Sequence, residues 1–246
     1  MSTTERLPLL PLDDTVVLPG MAVPVELGDA EARVAVDAAG TQDGPSRVLL
    51  TPRLNGRYGG IGTIAVVEQV GRLPGGGPGA LVRGTGRARI GAGSTGPGGA
   101  LWVDVTELPD DGLGERAQEL AREYKGLVVS VLQQRGAWQL IDGVQRLSDP
   151  SAIADTAGYA AYLDADQKLT LLETADVVLR LELAIRWARE HLAELDVAET
   201  IRKDVQEGMD RQQREFLLRQ QLAAVRKELR ELQGGKDGWS ASRYAA

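Results

Sequence analysis

Two glycine-rich segments in this 246-residue chain have spacings that could bind a nucleotide. The segment GAGSTG that starts at Gly91 matches the pattern G-x-G-x-x-G, in which a glycine turn opens a helix that holds a pyrophosphate. A proline, two more glycines and a predicted strand follow it, so we interpret this segment as a flexible hairpin loop. The segment GGK at Gly234 fails as a P-loop, because Asp237 stands where a serine or threonine would bind Mg²⁺. The sequence therefore predicts no ATP site in this chain.

Side chains that could act as catalysts or metal ligands are scarce. The only histidine, His191, lies in a predicted apolar-striped helix, where a packed or solvent-facing role is expected. The lack of cysteine excludes thiolate catalysis and makes a zinc site improbable. No spacing of carboxylates indicates an acid–base pair, and Asp13 and Asp14 are interpreted as a turn before a strand at Thr15. We therefore predict no catalytic residue, no metal site and no cofactor in this chain.

Composition and charge limit the partners that this chain could bind. The hydrophobic content of 43% and the charged content of 26% are those of an ordinary soluble globular protein. The net charge of −7 argues against a general nucleic-acid or anionic-membrane binder, which needs a basic face. We find neither a secretory signal nor an apolar run long enough to span a membrane. A cytoplasmic location is therefore expected.

Strand patterns occupy the first half of the chain. All eleven prolines lie at or before Pro150, and 25 of the 30 glycines precede Ser151. The predicted strands are Ala22–Leu27, Arg47–Leu50, Thr63–Val70, Ala80–Arg83 and Leu101–Thr106. Pro24 cannot donate a ladder hydrogen bond, which predicts an edge strand or a bulge. With a helix predicted over Asp29–Ala39, the pattern indicates a small, partly closed β-barrel within residues 1–110.

Helical periodicity begins after Pro109. Apolar residues recur at three and four positions from Ala117 to Val131, which predicts a helix of about five turns. Ser151 is predicted to cap a helix running to Leu163, and Lys168–Thr174 is predicted as a short helix. A longer helix carries the apolar stripe Val177, Leu181, Ala184, Ala188, Leu192 and Leu195. These helices are predicted to bury their stripes in a bundle over residues 111–195.

The segment Glu199–Gln233 reads as one long helix without a proline, which would reach ~50 Å. From Leu218 to Leu232 its apolar residues are spaced 4, 3, 4 and 3, as in a coiled-coil seam. Gly208 is the expected bend. We predict that residues 196–233 project as a spacer or assembly element and that residues 234–246 form a flexible tail. A helix folded back on its own bundle remains the alternative.

Three stretches together resemble the N-terminal region of the Lon protease family. Leu7–Gly28, LPLLPLDDTVVLPGMAVPVELG, is similar to the family's first two strands. Gly62–Ile90 resembles its next strands, from a G-T-x-A start to a V-x-G-x-x-R end. Met209–Leu232, MDRQQREFLLRQQLAAVRKELREL, resembles the family's long helix. The sequence after Gln233 departs from the family's pattern.

The resemblance implies an α+β fold: a PUA-like β pseudo-barrel, then an α-helical bundle and a long C-terminal helix. In the family these elements precede an ATPase module and a Ser-Lys protease module, which this sequence lacks. ATP and Mg²⁺ are implied only for that ATPase module, and the family's catalytic residues have no counterparts here. The resemblance also implies a homo-hexamer for the full-length protein. We therefore expect either a truncated piece or an unusual short product.

The expected function is substrate recognition and assembly for an ATP-dependent Lon-type serine protease that degrades misfolded and short-lived regulatory proteins. The partners would be unfolded or misfolded polypeptides, held weakly by exposed apolar surface or by a sheet edge. The candidate contact residues are Leu18, Pro19 and Met21 in one loop, and Phe216, Leu217 and Leu218 on the long helix. Two alternatives remain open: a stand-alone adaptor without a protease, and an RNA-binding barrel. The nine basic and twelve acidic residues of residues 1–110 disfavour RNA.

Overall fold

The computed structural model describes residues 4–42, 44–54, 56–73 and 75–237, with side-chain surroundings given as far as Leu232. The chain divides into two units, Met1–Leu192 and Ala193–Ala246. The first unit contains all the described strands and most of the helices. The second contains the greater part of one long helix.

Seven strands form the sheet of the first unit. They are β1 (Thr4–Asp13), β2 (Ala22–Glu26), β3 (Arg47–Leu54), β4 (Arg57–Tyr58), β5 (Ile61–Arg72), β6 (Pro78–Thr95) and β7 (Leu101–Leu108). The order β1-β7-β6-β5-β3 closes on itself because β1 also pairs with β3, in parallel. This closure confirms the predicted barrel, and the short strands β2 and β4, which each pair with one neighbour, lie at its edges. Strand β2 pairs with β6, and Pro24 therefore lies on an edge strand, as predicted.

Two predictions about the strands were wrong. No strand begins at Thr15: after a turn at Asp14, the apolar residues that follow enter the core without regular pairing. Gly91 and Gly93 lie within β6, and Gly93 pairs with Val103 of β7 past a bulge, so the loop predicted from Gly91 begins only after Thr95. A Cβ on Gly91 would lie 3.0 Å from the Asp104 carbonyl oxygen, so the glycine permits close strand pairing there.

Six helices complete the described chain. They are α1 (Ala30–Ala39), α2 (Glu115–Gln134), α3 (Ile141–Arg146), α4 (Pro150–Asp155), α5 (Ala165–Glu173) and α6 (Val177–Asp237). One buried apolar cluster joins the barrel to the helices, since it includes Leu10 and Val82 as well as Leu120, Leu171 and Leu181. The barrel and the helices of the first unit therefore share a core and fold as one body.

The predicted cap at Ser151 was wrong. The Asp149 side chain accepts a hydrogen bond from the Ala152 N–H at 2.9 Å, and Pro150 takes the first helical position, where its missing N–H costs nothing. Helix α4 ends at Asp155 and a 3-10 turn follows, so no helix continues to Leu163. The next helix, α5, has a capping box between Asp164 and Gln167.

Helix α6 is unbroken from Val177 to Asp237 and passes through Gly208 without interruption. The long helix predicted over Glu199–Gln233 is therefore present, and every described side chain from Asp196 to Leu232 is exposed. Helix α6 continues four residues beyond Gln233, into the segment predicted as a tail. The rest of that tail, residues 238–246, lies outside the described residues.

Candidate functional site

A buried cluster of charges fixes the helices on the barrel. Arg87, on β6, donates to both carboxylate oxygens of Asp155 on α4, at 3.0 and 2.6 Å. Arg180, on α6, donates to the same carboxylate at 2.9 Å and also to Asp110, which follows β7. Arg87 also donates through Nε to the Leu172 carbonyl oxygen of α5 at 3.1 Å. Four elements of the first unit are therefore tied together by two arginines.

The chemistry of this cluster is structural. Arg87 and Arg180 are 3% and 0% exposed, and two carboxylates balance their charges. Burial raises the pKa of Asp155, whereas the two arginines oppose that shift. Burial likewise lowers the pKa of Arg180, against the attraction of Asp155 and Asp110. Because the groups neutralise one another inside the core, we interpret the cluster as a clamp between barrel and helices.

An apolar cavity of about 530 Å³ opens among the helices of the first unit. Its walls come from α2, from α3 and from residues 156–162. The aliphatic lining residues are Val128, Val131, Leu132, Leu140, Val144 and Leu147. This volume lies within the ~300–1,000 Å³ of small-ligand pockets, which are likewise mostly apolar. We call it the bundle cavity.

Few polar groups border the bundle cavity. Burial raises the pKa of Tyr124 well above its usual value and also raises the pKa of Tyr162, so both phenols remain neutral at pH 7. The Tyr162 ring stacks on His191, with centroids 4.4 Å apart and planes at 15°. The Arg135 Nη2 lies 3.1 Å from the His191 Nε2. His191 is thus a packed residue, in agreement with the sequence-based expectation.

The two predicted contact segments have different surroundings. Leu18 is 0% exposed and Met21 is 6% exposed, and both belong to the shared core. The Leu18 N–H lies 3.2 Å from the Met21 sulfur, and Pro19 is only half-buried. As the loop stands, it therefore offers Pro19, but not its two larger apolar side chains, to a partner.

The second predicted segment lies on α6 and is open to solvent. Phe216, Leu217 and Leu218 are 61%, 52% and 57% exposed. They belong to a longer set of exposed apolar residues, which we call the α6 stripe. Its members are Val197, Ile201, Val205, Met209, Phe216, Leu217, Leu218, Leu222, Val225, Leu229 and Leu232. So many large apolar side chains exposed along one helix indicate an interaction surface.

Sequence reasoning missed the bundle cavity. Leu140, Val144 and Leu147 are spaced 4 and 3, which is a helical apolar pattern that could have indicated one wall. The opposite wall, around Tyr159 and Tyr162, lies in and directly after a 3-10 turn and has no such period. Because the cavity arises where three irregularly connected segments meet, its existence depends on tertiary packing.

The described residues contain neither a membrane-spanning helix nor a cluster of metal ligands. No helix there is both long and apolar enough to cross a lipid bilayer. No group of three or more histidine, cysteine or acidic side chains there is arranged to hold a metal ion.

Comparison with known proteins identifies the class of this domain. Residues 6–190, which form nearly all of the first unit, match the family model described as the ATP-dependent protease La (LON) substrate-binding domain. The fold is thus that of a protease-associated substrate-binding domain. The chain belongs to this Lon family, which confirms the resemblance found in its sequence.

Relatives and a solved structure agree with this assignment. The Lon protease of Salinispora arenicola (strain CNS-205) is 57% identical, over 92% of this chain and 29% of its own length. That of Mycolicibacterium smegmatis is 53% identical, over 98% of this chain and 31% of its own length. The N-terminal domain of Mycobacterium avium complex Lon protease superposes with a TM-score of 0.71 at 51% identity, covering 76% of this chain and 100% of that one. The chain thus spans less than a third of the length of these two curated relatives.

Proposed function

We propose that this chain is the non-catalytic polypeptide-capturing and assembly region of an ATP-dependent Lon-type serine protease that degrades misfolded and short-lived regulatory proteins. ATP, Mg²⁺ and the protease nucleophile would act in other modules of that enzyme. The names of the relatives favour this interpretation over the stand-alone adaptor. A cytoplasmic location remains part of the proposal.

The α6 stripe is the observation that supports this proposal. Its eleven large apolar side chains are between 50% and 71% exposed, within only 36 residues of helix. Folded proteins bury their own apolar side chains, whereas unfolded polypeptides expose them. A surface of this kind therefore prefers unfolded clients and holds them weakly, because each contact is small and non-directional. Weak binding suits a receptor that must release its client to a translocating motor.

The spacing of the stripe separates two roles. Leu218, Leu222, Val225, Leu229 and Leu232 take alternate d and a positions of a heptad, which pair helices in a coiled coil. In this register Phe216 and Leu217 fall at b and c, which face away from a coiled-coil partner. Pairing through the seam would therefore leave these two residues available. We propose that the seam serves self-association within a homo-hexamer, and that Phe216 and Leu217 contact clients.

The other predicted segments of the chain are assigned roles in the same proposal. We propose that the barrel of residues 1–110 contributes client contact through Pro19, and that the bundle of residues 111–195 supports it. Residues 196–233 would act as the connector.

The capture role is tested by binding the chain to unfolded and native forms of one protein. We expect measurable affinity for the unfolded form only, and a several-fold weaker affinity after Phe216→Ser with Leu217→Ser. The matched control is Gln220→Ser with Gln221→Ser, on the same helix. Equal binding of the native and unfolded forms, or no binding at high micromolar concentration, would contradict capture.

The assembly role is tested separately by sedimentation. The pair Leu222→Asp and Leu229→Asp places two charges in the seam, and we expect it to abolish concentration-dependent self-association. Client binding should persist in this variant if Phe216 and Leu217 make the contact. A variant that still self-associates like the wild type would show that the seam does not assemble the protein.

A further inference from the structure

The bundle cavity has one charged residue in its lining, Arg135, among the residues described there. Arg135 follows Val131 by four positions and Leu132 by three, so all three lie on one face of the helix end. The Arg135 backbone is therefore about one helical turn, ~5.4 Å, from Val131, and its side chain lines the cavity beside this apolar wall. A cation beside an apolar pocket suits a ligand that is apolar at one end and anionic at the other.

The Arg135 guanidinium does not cap the C-terminus of α2. The last carbonyls of α2 accept backbone N–H groups instead: Gly136 donates to Gln133 at 3.0 Å and Ala137 to Leu132 at 2.9 Å. Within the described part of the chain, the polar partner of the guanidinium is the His191 imidazole, and no carboxylate pairs with it. Arg189 of the same unit, by contrast, pairs with Glu123 at 2.8 Å.

We propose that the bundle cavity binds the C-terminal residue of a client polypeptide, with a large apolar side chain in the cavity and the terminal carboxylate on Arg135. This inference rests on the proposed function and specifies one of its client classes. An internal apolar residue carries no charge on its backbone, and an aspartate or glutamate has no apolar side chain. Only a C-terminal residue such as leucine or phenylalanine joins both groups at one Cα.

The geometry of each half supports this occupant. A carboxylate can accept two parallel hydrogen bonds from a guanidinium, which a single peptide carbonyl cannot. The cavity volume of about 530 Å³ admits one large side chain and part of its neighbour. Tyr159 lines the cavity, and its hydroxyl accepts a hydrogen bond from the Ala22 N–H at 2.9 Å, which holds this wall against β2.

The experiment compares two forms of one labelled ten-residue peptide that ends in leucine. One form has a free carboxylate and the other a C-terminal amide, and fluorescence anisotropy measures the binding of each to the whole chain. We expect the acid to bind about 10-fold more tightly than the amide, which is the gain in affinity that one charge-assisted hydrogen bond provides. Arg135→Gln should remove this preference. The control Arg122→Gln, also on α2, should retain it, because that arginine bonds to its own helix at Gln118.

A second variant tests the apolar half. Val144→Trp fills the cavity, and it should weaken the acid and the amide equally, by several-fold. Thermal unfolding checks that the Val144→Trp variant is folded. If it is not, Arg135→Gln decides the inference.

Equal affinity of the wild type for the acid and the amide would overturn the inference, as would octanoate binding as tightly as the peptide. If either result is found and the chain still binds unfolded protein, this inference alone fails. If unfolded protein does not bind either, the proposed function fails.

Discussion

The two parts of helix α6 carry similar apolar residues in different surroundings. Between Val177 and Ala188, apolar residues at helical spacing are buried, and even Arg180 is fully enclosed. Beyond Asp196, the members of the α6 stripe, most of them three or four positions apart, are all at least half-exposed. Helical periodicity therefore predicts only which side chains share one face of the helix. Whether that face is buried depends on a second surface, which the barrel and the bundle supply to the first part.

The ion pairs of the two units also differ in burial. In the first unit, Asp155 is shared by two arginines inside the core. In the second, the pairs are neighbours on one exposed helix face, such as Glu199 with Lys203 at 2.8 Å. A buried group that loses its partner leaves an uncompensated charge in a medium of low polarity, whereas an exposed group is rehydrated. Equivalent substitutions should thus have very unequal costs.

The largest effect is expected for Asp155→Ala. This change leaves Arg87 and Arg180 buried beside a single carboxylate, so the free energy of unfolding should fall by ~3–5 kcal/mol. Urea denaturation followed by tryptophan fluorescence measures it. Asp210→Ala, on the exposed part of α6, is the matched control and should change the value by less than ~0.5 kcal/mol. A loss below about 1 kcal/mol for Asp155→Ala would contradict the clamp.

The next largest effect on the free energy of unfolding is expected from a comparison of two leucines on α6. Leu181 is 0% exposed and Leu222 is 50% exposed. Leu181→Ala should leave a cavity in the core and lower the free energy of unfolding by ~2–5 kcal/mol. Leu222→Ala should leave that value within ~0.5 kcal/mol and alter self-association instead. Equal losses in urea denaturation would show that the two leucines have the same surroundings.

Much of the fold could be predicted from local patterns. The period of two located β2 and β7, and the proline at position 24 correctly indicated an edge strand. The apolar period also placed α2 and the start of α6. Errors arose where a residue type has two uses. Gly91 and Gly93 were interpreted as part of a flexible loop, whereas they lie in β6 and allow it to approach β7 closely.

The sites were harder to predict than the elements. Leu18 and Met21 form part of an apolar run after a turn, and nothing in that run distinguishes a surface loop from a core segment. The clamp joins residues separated by up to 93 positions in the sequence, from Arg87 to Arg180, and the bundle cavity also depends on tertiary packing. The α6 stripe was found because a long helix is local, and its heptad spacing is visible in the sequence alone.

A smaller effect should distinguish two helical glycines. A Cβ on Gly208 or Gly126 would meet no atom within 4 Å, so alanine fits at both positions. Each change should stabilise its helix by ~1 kcal/mol. For Gly126→Ala in α2, the gain should appear in the global free energy of unfolding. For Gly208→Ala, we expect slower hydrogen exchange in the surrounding turns of α6 and no global change. A global gain from Gly208→Ala would mean that both units unfold together.

The smallest effect is expected for the ion pair between Glu215 and Arg219. The Arg219 Nη2 lies 2.6 Å from the Glu215 Oε1, and the two residues are four positions apart in the helix. Both side chains are more than half exposed, so water and salt screen the attraction. A double-mutant cycle with alanine, read from the hydrogen exchange of this part of α6, should give a coupling of ~0.2–0.5 kcal/mol. The coupling should diminish at 1 M salt. A coupling above about 1 kcal/mol that resists salt would indicate that this face of α6 is shielded from water, contrary to its exposure.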